Sequence, residues 1–159
     1  RVGEGSVFEF KIVFGRSKVA NISKDTLHEG FVMDLQGRNI LVVEDNVINQ
    51  KVMLQTLERL NAKVTIASNG LEALERIRNE RFDLIFMDLQ MPEMDGYEAT
   101  KMIRNCTVGS VDRSIPIIAL TADAFAETRQ KALSSGFTDY LPKPFKRQDL
   151  IQRLDKYLS

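Results

Sequence analysis

Five polar residues, each placed directly after or near the end of an apolar segment, could form a site for phosphoryl chemistry. These residues are Glu44, Asp45, Asp88, Thr121 and Lys143. Three carboxylates gathered in one place repel one another, which raises their pKa values and favours a bound cation. Mg²⁺ prefers carboxylate and carbonyl oxygens and commonly bridges them to a phosphoryl group. A phosphoryl group on one acid could then be held by the metal on one side and by the ammonium and hydroxyl groups on the other.

The candidate reactive group is Asp88, within the stretch of residues 82–96. Residues 84–87 are uninterrupted apolar side chains, which predicts a short strand buried on both faces. Asp88 ends this strand, and a loop containing Pro92 and Gly96 follows. A carboxylate in this position lies at the rim of a sheet, where it can be ionised.

The elements that must position these residues are five strands alternating with five helices. The predicted strands cover residues 40–43, 63–67, 84–87, 115–120 and 138–141. The predicted helices cover about residues 47–60, a segment starting at 68–70 with Leu71, Leu74 and Ile77 on one face, and about residues 95–104, 125–135 and 148–158. Such alternation indicates an α/β fold with a doubly wound parallel sheet. In that sheet the carboxyl ends of the strands share one edge, so the five polar residues should meet there.

Residues 38–159 resemble the receiver domain of two-component signalling. The resemblance is carried by Glu44-Asp45-Asn46, by the run from Met87 to Gly96, by Leu120-Thr121-Ala122, and by Tyr140-Leu141-Pro142-Lys143-Pro144. It implies a flavodoxin-like, five-stranded sheet with strand order 2-1-3-4-5. It also implies that Asp88 accepts the phosphoryl group, assisted by Thr121 and Lys143.

The same resemblance implies a metal site and a switch. Asp45, Asp88 and the backbone carbonyl of Gln90 would bind Mg²⁺ directly, and Glu44 would act through water. Tyr140 would swing inward when Thr121 moves onto the phosphate. In addition, the Lys143-Pro144 bond is expected to be cis, and Gln90 and Asp123 occupy the two variable positions that tune hydrolysis of the aspartyl phosphate in this family.

The motifs look most like receivers fused to hybrid sensor histidine kinases. Residues 1–16 resemble a strand remnant from the end of a histidine-kinase ATP-binding domain, residues 17–37 suggest a linker, and residues 38–159 form the receiver. The expected parent is therefore a hybrid kinase with this receiver at its C-terminus, although the fragment is not a kinase by itself. Expected partners are a histidine-kinase phosphodonor domain and a histidine-containing phosphotransfer protein. The phosphotransfer protein would dock near the first helix, at Ile48 and Val52.

Two enzyme or binding classes fit these residues less well. A phosphohydrolase with an aspartyl-phosphate intermediate needs a second aspartate two residues after the nucleophile, where this chain has Gln90. A flavin or nucleotide binder would need a phosphate loop after the first strand, where Glu44 and Asp45 would repel a phosphate that carries no metal. The open alternative is a pseudo-receiver, which would act as a docking module without being phosphorylated.

The composition bears on which partners and which cellular location to expect for this chain. The chain has 159 residues with 22 Lys+Arg and 22 Asp+Glu, so no basic excess supports nucleic-acid binding. No apolar run approaches the roughly 20 residues that span a bilayer, so this fragment is expected to make no direct membrane contact. The single cysteine, Cys106, fits a reducing compartment, and a cytoplasmic location is expected. The single histidine, His28, builds no metal site alone and is expected to be solvated.

Overall fold

The computed structural model describes residues 33–105, 112–123 and 125–159. The predictions for residues 1–16, for His28 and for Cys106 lie outside this range. Ten elements alternate along the described chain: β1 (Asn39–Val43), α1 (Val47–Glu58), β2 (Lys63–Ala67), α2 (Gly70–Asn79), β3 (Leu84–Asp88), α3 (Gly96–Arg104), β4 (Ile117–Thr121), α4 (Ala126–Ser134), β5 (Asp139–Pro142) and α5 (Arg147–Leu158). The strands form one parallel sheet in the order β2-β1-β3-β4-β5, which confirms the predicted fold.

Two strands begin later than the sequence predicts. Pro116 precedes β4 instead of lying inside it, and its carbonyl accepts a hydrogen bond from the Ile85 backbone N–H at 2.9 Å. The fifth strand begins at Asp139, and the preceding residue already joins β4 through the bond from the Thr138 N–H to the Ile117 carbonyl at 2.8 Å. The start of β4 is two residues later, and the start of β5 one residue later, than the sequence predicts.

Helices cover both faces of the sheet and bury one apolar layer on each side. One layer packs α2, α3 and α4 against the sheet, through side chains such as Leu74, Ile103 and Ala132. The other layer packs α1 and α5 through side chains such as Leu57 and Leu154. The central strands β3 and β4 are buried along their whole length, as uninterrupted apolar runs require.

The predicted inner face of α2 is wrong in one residue. Leu74 and Ile77 are buried, but Leu71 is 49% exposed. Gly70 and Ala73 take the remaining inward positions. A Cβ at position 70 would lie 2.9 Å from the Met94 backbone carbonyl oxygen, so only glycine lets the start of α2 approach this closely.

The described segment upstream of β1 also packs on the domain. Met33 and Leu35 are buried in the layer that contains α1 and α5. The Leu35 N–H donates to the Leu60 carbonyl at 2.7 Å. None of the helices in the described part of the chain has the length and apolar character that crossing a bilayer requires.

Candidate functional site

The candidate site lies at the carboxyl edge of the sheet, where β1, β3, β4 and β5 end. Glu44 follows β1, Asp88 and Thr121 are the last residues of β3 and β4, and Lys143 follows β5. Glu44, Asp88 and Thr121 are almost completely buried, at 1%, 6% and 5% exposure. Asp45, by contrast, is exposed at the start of the β1–α1 loop. The prediction that Asp88 lies at the rim is confirmed, although the structure buries it more deeply than a rim position suggests.

Lys143 is the link between the acids. Its Nζ donates to Asp88 Oδ2 at 2.5 Å and to Glu44 Oε2 at 2.8 Å, with only 18% of the lysine side chain exposed. The second Glu44 oxygen accepts from Asn49 Nδ2 at 2.9 Å and from the Asn46 N–H at 3.3 Å. Two carboxylates from different strands are therefore held by one ammonium group.

Asn46 and Asn49 connect this site to the first helix. Asn46 is the N-cap of α1, and its side-chain oxygen accepts from the Ile48 N–H at 2.9 Å. This cap begins the helix directly after the acidic pair, so that Asn49, on the first turn, reaches back to Glu44. Sequence reasoning noted both asparagines as part of a motif but missed that Asn49 positions Glu44. The available signal was the three-residue spacing from the N-cap.

Burial and charge act in opposite directions on the Asp88 and Lys143 pKa values. Burial raises the pKa of Asp88 above its ordinary value, and the hydrogen bonds from Lys143 and from the Gln90 N–H only partly offset this effect. Burial alone would lower the pKa of Lys143, but its bonds to Asp88 and Glu44 outweigh burial and raise that pKa. Lys143 is therefore firmly cationic, while the Asp88 carboxylate is less well solvated than an ordinary aspartate.

The acidic residues are arranged as a cation site requires. Glu44, Asp45 and Asp88 each present an oxygen, and these oxygens all lie within 4.8 Å of one another. The Gln90 N–H donates to Asp88 Oδ1 at 3.2 Å, and its side chain is exposed. An open cleft of about 500 Å³ borders Asp45 and Gln90. The three carboxylates therefore suit an oxygen-seeking divalent cation.

The β3–α3 loop is held close to Asp88 by Gly96. The Gly96 N–H donates to the Leu89 carbonyl at 3.2 Å. A Cβ on Gly96 would collide with the Asp88 backbone carbonyl oxygen and would lie 3.1 Å from Met87 Cγ. The glycine at this position is therefore required by close backbone approach, a role that the sequence showed only as a break in the pattern.

Thr121 and Tyr140 have local partners in this structure. The Thr121 hydroxyl donates to the Asp123 carbonyl at 2.9 Å and accepts from the Asp123 N–H at 3.0 Å. Tyr140 is half-buried, and the Arg129 guanidinium lies 4.9 Å from its ring centroid. The structure thus brings Glu44, Asp88 and Lys143 into contact, while the Thr121 hydroxyl is engaged with the β4–α4 loop. The Lys143-Pro144 bond is cis, as the resemblance implied.

Comparison with known proteins identifies the family. Residues 40–155 match the family model of the response regulator receiver domain. Hybrid signal transduction histidine kinase B of Dictyostelium discoideum is 43% identical over 129 residues, which cover 76% of this chain and 7% of the relative. Probable histidine kinase 4 of rice (Oryza sativa subsp. japonica) is 37% identical over 79% of this chain and 14% of the relative. The chain therefore spans only a small part of each of these curated relatives.

Solved structures agree with the sequence matches. The receiver domain of sensor histidine kinase PA1611 from Pseudomonas aeruginosa PAO1, solved with a magnesium ion in its active-site cleft, is 43% identical with a TM-score of 0.69; the match covers 76% of this chain and 97% of that one. The Saccharomyces cerevisiae receiver domain of Ssk1, in its co-crystal with the histidine phosphotransfer protein Ypd1, gives a match at 35% identity and a TM-score of 0.70, covering 77% and 90% of the two chains. With the acidic cluster, the sheet order and these matches in agreement, the chain belongs to the response regulator receiver family and is a receiver domain of two-component phosphorelay signalling.

Proposed function

We propose that Asp88 accepts a phosphoryl group from a phosphohistidine presented by a partner protein. The observation that carries this proposal is the contact between Asp88 and Lys143 at 2.5 Å, beside the buried Glu44. An Asp88 oxygen would form a bond to phosphorus while the bond from phosphorus to the histidine nitrogen breaks, and the imidazole would leave with the bonding electron pair.

The donor set also supports Mg²⁺ as the cofactor. Asp45, Asp88 and the backbone carbonyl of Gln90 would hold the ion, with Glu44 acting through water. The fit rests on the three carboxylate oxygens that lie within 4.8 Å of one another. When bound, the ion would neutralise charge on the phosphoryl oxygens and on the carboxylates.

Lys143 and Thr121 would then serve the phosphorylated state. The Lys143 ammonium, already beside Asp88, needs only a short movement to contact a phosphoryl oxygen on that residue. The Thr121 hydroxyl would leave its bonds to Asp123 and contact the phosphoryl group, and Tyr140 would turn inward to fill the space. The phosphoryl group would thereby shift the population between two conformations of the surface formed by α4, β5 and α5.

Replacement of the acceptor tests this function. We expect Asp88→Asn to lose phosphate incorporation to the background level, because an amide cannot act as the nucleophile. The measurement is intact-mass spectrometry after incubation with a phosphorylated histidine-kinase domain or acetyl phosphate, with and without Mg²⁺. Asp155→Asn is the matched control, because Asp155 is exposed on α5 and should leave incorporation unchanged.

The outcomes separate the receiver from the pseudo-receiver. Incorporation by Asp88→Asn at the wild-type rate would show that another residue is the acceptor. If the wild-type chain took no phosphate in Mg²⁺ from any donor and still bound a phosphotransfer protein, the docking-module alternative would be correct.

An apolar patch on α1 supports a phosphotransfer protein as the partner. Val47, Ile48 and Val52 are 58%, 71% and 49% exposed, and they lie in the first two turns of α1, which begins two residues after Asp45. Exposed apolar side chains grouped beside a reactive site are typical of a docking surface. The related Ssk1 receiver was crystallised with the phosphotransfer protein Ypd1, which supports this class of partner.

Charge inserted into this patch tests the docking proposal. We expect Ile48→Asp to weaken binding of a histidine-containing phosphotransfer protein by about tenfold or more, because central apolar contacts supply much of an interface's energy. Isothermal titration calorimetry measures the change. Leu133→Asp on α4, where Leu133 is 42% exposed, is the control. Equal weakening by both variants would contradict docking on α1.

The larger protein is a further part of this proposal. The kinase relatives support a parent that is a hybrid sensor histidine kinase, and a cytoplasmic location of this receiver is part of the same proposal. In that parent, residues 1–16 would complete an ATP-binding domain. The predicted linker, residues 17–37, would connect it to the receiver, with Met33 and Leu35 at the end of the linker packed on the receiver itself.

A further inference from the structure

We infer that Arg129 is a positioning residue for the switch, which holds the Tyr140 ring in its unphosphorylated conformation. The inference rests on the proposed function of Thr121 and Tyr140 as a switch pair. The Arg129 guanidinium lies over the Tyr140 ring, 4.9 Å from its centroid, within the range of a cation–π contact. Such a contact stabilises the position of the ring beneath the guanidinium relative to any position in which the ring has moved away from it.

The weak anchoring of α4 makes this contact matter. Among its nine residues only Ala132 is buried, whereas α3, also nine residues long, buries Gly96, Ala99, Thr100 and Ile103. The N-cap of α4 is Phe125, which makes no side-chain capping bond and is 74% exposed. Because apolar burial holds α4 so little, its polar contacts have a larger share in setting its position.

The first turn of α4 is tied to both members of the switch pair. The Thr121 hydroxyl is bonded to the Asp123 backbone, and Asp123 Oδ2 accepts from the Thr128 hydroxyl at 3.0 Å. Thr128 is the neighbour of Arg129, which lies over Tyr140. Movement of Thr121 away from Asp123 would therefore loosen the turn that carries Arg129 and release Tyr140.

The ion pairs formed among the described residues do not include Arg129, so no carboxylate among those residues competes with Tyr140 for its guanidinium. A second cation–π contact on the same helix, Lys131 Nζ at 4.6 Å from the Tyr97 ring centroid, provides an internal comparison. Tyr97 packs edge-on against Phe137 and is not a member of the switch pair, so loss of Lys131 should leave Tyr140 unaffected.

The test follows the Tyr140 ring by NMR in the chain labelled with ¹³C-tyrosine, with Tyr140→Phe to assign the signal. In the absence of any phosphoryl analogue, Arg129→Ala should move the Tyr140 signals toward those of the beryllofluoride-bound wild type. An exposed cation–π contact is worth a roughly two- to fivefold change in an equilibrium constant. The beryllofluoride concentration for half-saturation in Mg²⁺ should therefore fall by about that factor.

Two further variants make the result specific. Arg129→Lys, which keeps the cation, should restore much of the wild-type ring position, and Lys131→Ala should alter Tyr97 while leaving Tyr140 unchanged. Unshifted Tyr140 signals in Arg129→Ala would overturn the inference, as would an equal shift caused by Lys131→Ala. If Arg129→Ala moved the ring while beryllofluoride had no effect on the wild type, the holding contact would stand and the proposed phosphoryl switch would be the part that failed.

Discussion

Lys143 decides the charge balance of the site. If Glu44, Asp45 and Asp88 are all ionised, one ammonium leaves two negative charges uncompensated among carboxylate oxygens that lie within 4.8 Å of one another. A single divalent cation would match that charge and could take an oxygen from each of the three carboxylates. The same arithmetic explains why a phosphoryl group could bind here only after a cation has neutralised the acids.

Asp139 is a further, largely buried carboxylate outside the candidate site, and it has a structural role. Its oxygens accept from the Tyr140 N–H at 2.8 Å, from the Tyr157 hydroxyl at 2.9 Å and from Lys156 Nζ at 3.0 Å. Burial alone would raise the pKa of Asp139, but these hydrogen bonds outweigh burial and hold the pKa below its ordinary value. Asp139 thus connects the start of β5 to α5 through an ionised side chain.

Asp139→Asn should lower the free energy of unfolding by about 1–3 kcal/mol at pH 7, because hydrogen bonds to a charged group are lost. A lowered pKa in the folded state stabilises the protein above the unfolded pKa, and that stabilisation disappears as the pH falls through the folded pKa. The difference between wild type and variant should therefore be full at pH 7 and shrink below about pH 4. Urea denaturation at pH 7, 4 and 3 measures it.

The control for this prediction is Asp155→Asn, on the same helix α5 but exposed. It should change the free energy of unfolding little at any of the three pH values. A difference between wild type and Asp139→Asn that grew as the pH fell would contradict the assigned direction of the pKa.

At the scale of elements, the strand ends and the loops that follow them carry the residues of the candidate site, and the helix starts hold those loops in place. Asn46, Asn69 and Asp95 are N-caps whose side chains accept backbone N–H groups of α1, α2 and α3. Asn46 and Asn69 begin their helices three and two residues after the ends of β1 and β2, and Asp95 is the last residue of the β3–α3 loop. The acids are therefore held by short, well-capped connections, whereas α4 begins without such a cap.

Gly96→Ala should disturb the site through the backbone. The new Cβ would collide with the Asp88 carbonyl, and overpacking of this kind costs about 1–3 kcal/mol of unfolding free energy. An alanine in a helix normally stabilises relative to glycine, so a net loss would point to the collision. Because Asp88 must shift, Mg²⁺ binding, measured by titration, should weaken as well.

Gly37→Ala is a control that separates a loss of unfolding free energy from a loss of Mg²⁺ affinity. Gly37 has a φ of +82°, and among the described residues no atom lies within 4 Å of the place that a Cβ would take. Its replacement therefore costs only the left-handed backbone penalty of about 1–2 kcal/mol. We expect Mg²⁺ affinity to be unchanged in this variant. Unchanged Mg²⁺ affinity in Gly96→Ala would show that the glycine matters for folding alone.

At the scale of the whole molecule, one sheet separates two apolar layers, and the site lies where the central strands end. Phe86 in β3 is fully buried between Val42 of β1 and Ile118 of β4. Contacts on both neighbouring strands make this side chain part of the scaffold on which Asp88, two residues later, is held.

Phe86→Ala should lower the free energy of unfolding by about 3–5 kcal/mol, because a large buried side chain leaves a cavity that the sheet cannot close. Leu71→Ala is the matched control, since Leu71 is 49% exposed and its loss should cost about 0.5 kcal/mol or less. Urea denaturation of both variants measures the difference. A comparable loss in Leu71→Ala would contradict the outward placement of Leu71.

The sequence alone determined the order of elements, the parallel sheet and the gathering of polar residues at one edge, because each of these follows from local patterns. Uninterrupted apolar runs such as residues 84–87 mark buried strands, and parallel strands bring their carboxyl ends together. The family motifs then supplied the strand order and the expected roles of Asp88, Thr121 and Lys143.

Only the tertiary structure decided which side chains meet. The contact of Lys143 with Glu44 joins residues 99 positions apart, and its strength depends on the packing of separate strands. The Arg129–Tyr140 contact likewise depends on how α4 lies against β5. Hydrophobic periodicity also could not show that Gly70 and Ala73 are buried while Leu71 is exposed, because small residues carry little hydrophobic signal. Gly70 is required instead by the close approach of Met94 and Ala99. Local pattern determines elements, whereas pairwise contacts are set by the packing of elements that are distant in sequence.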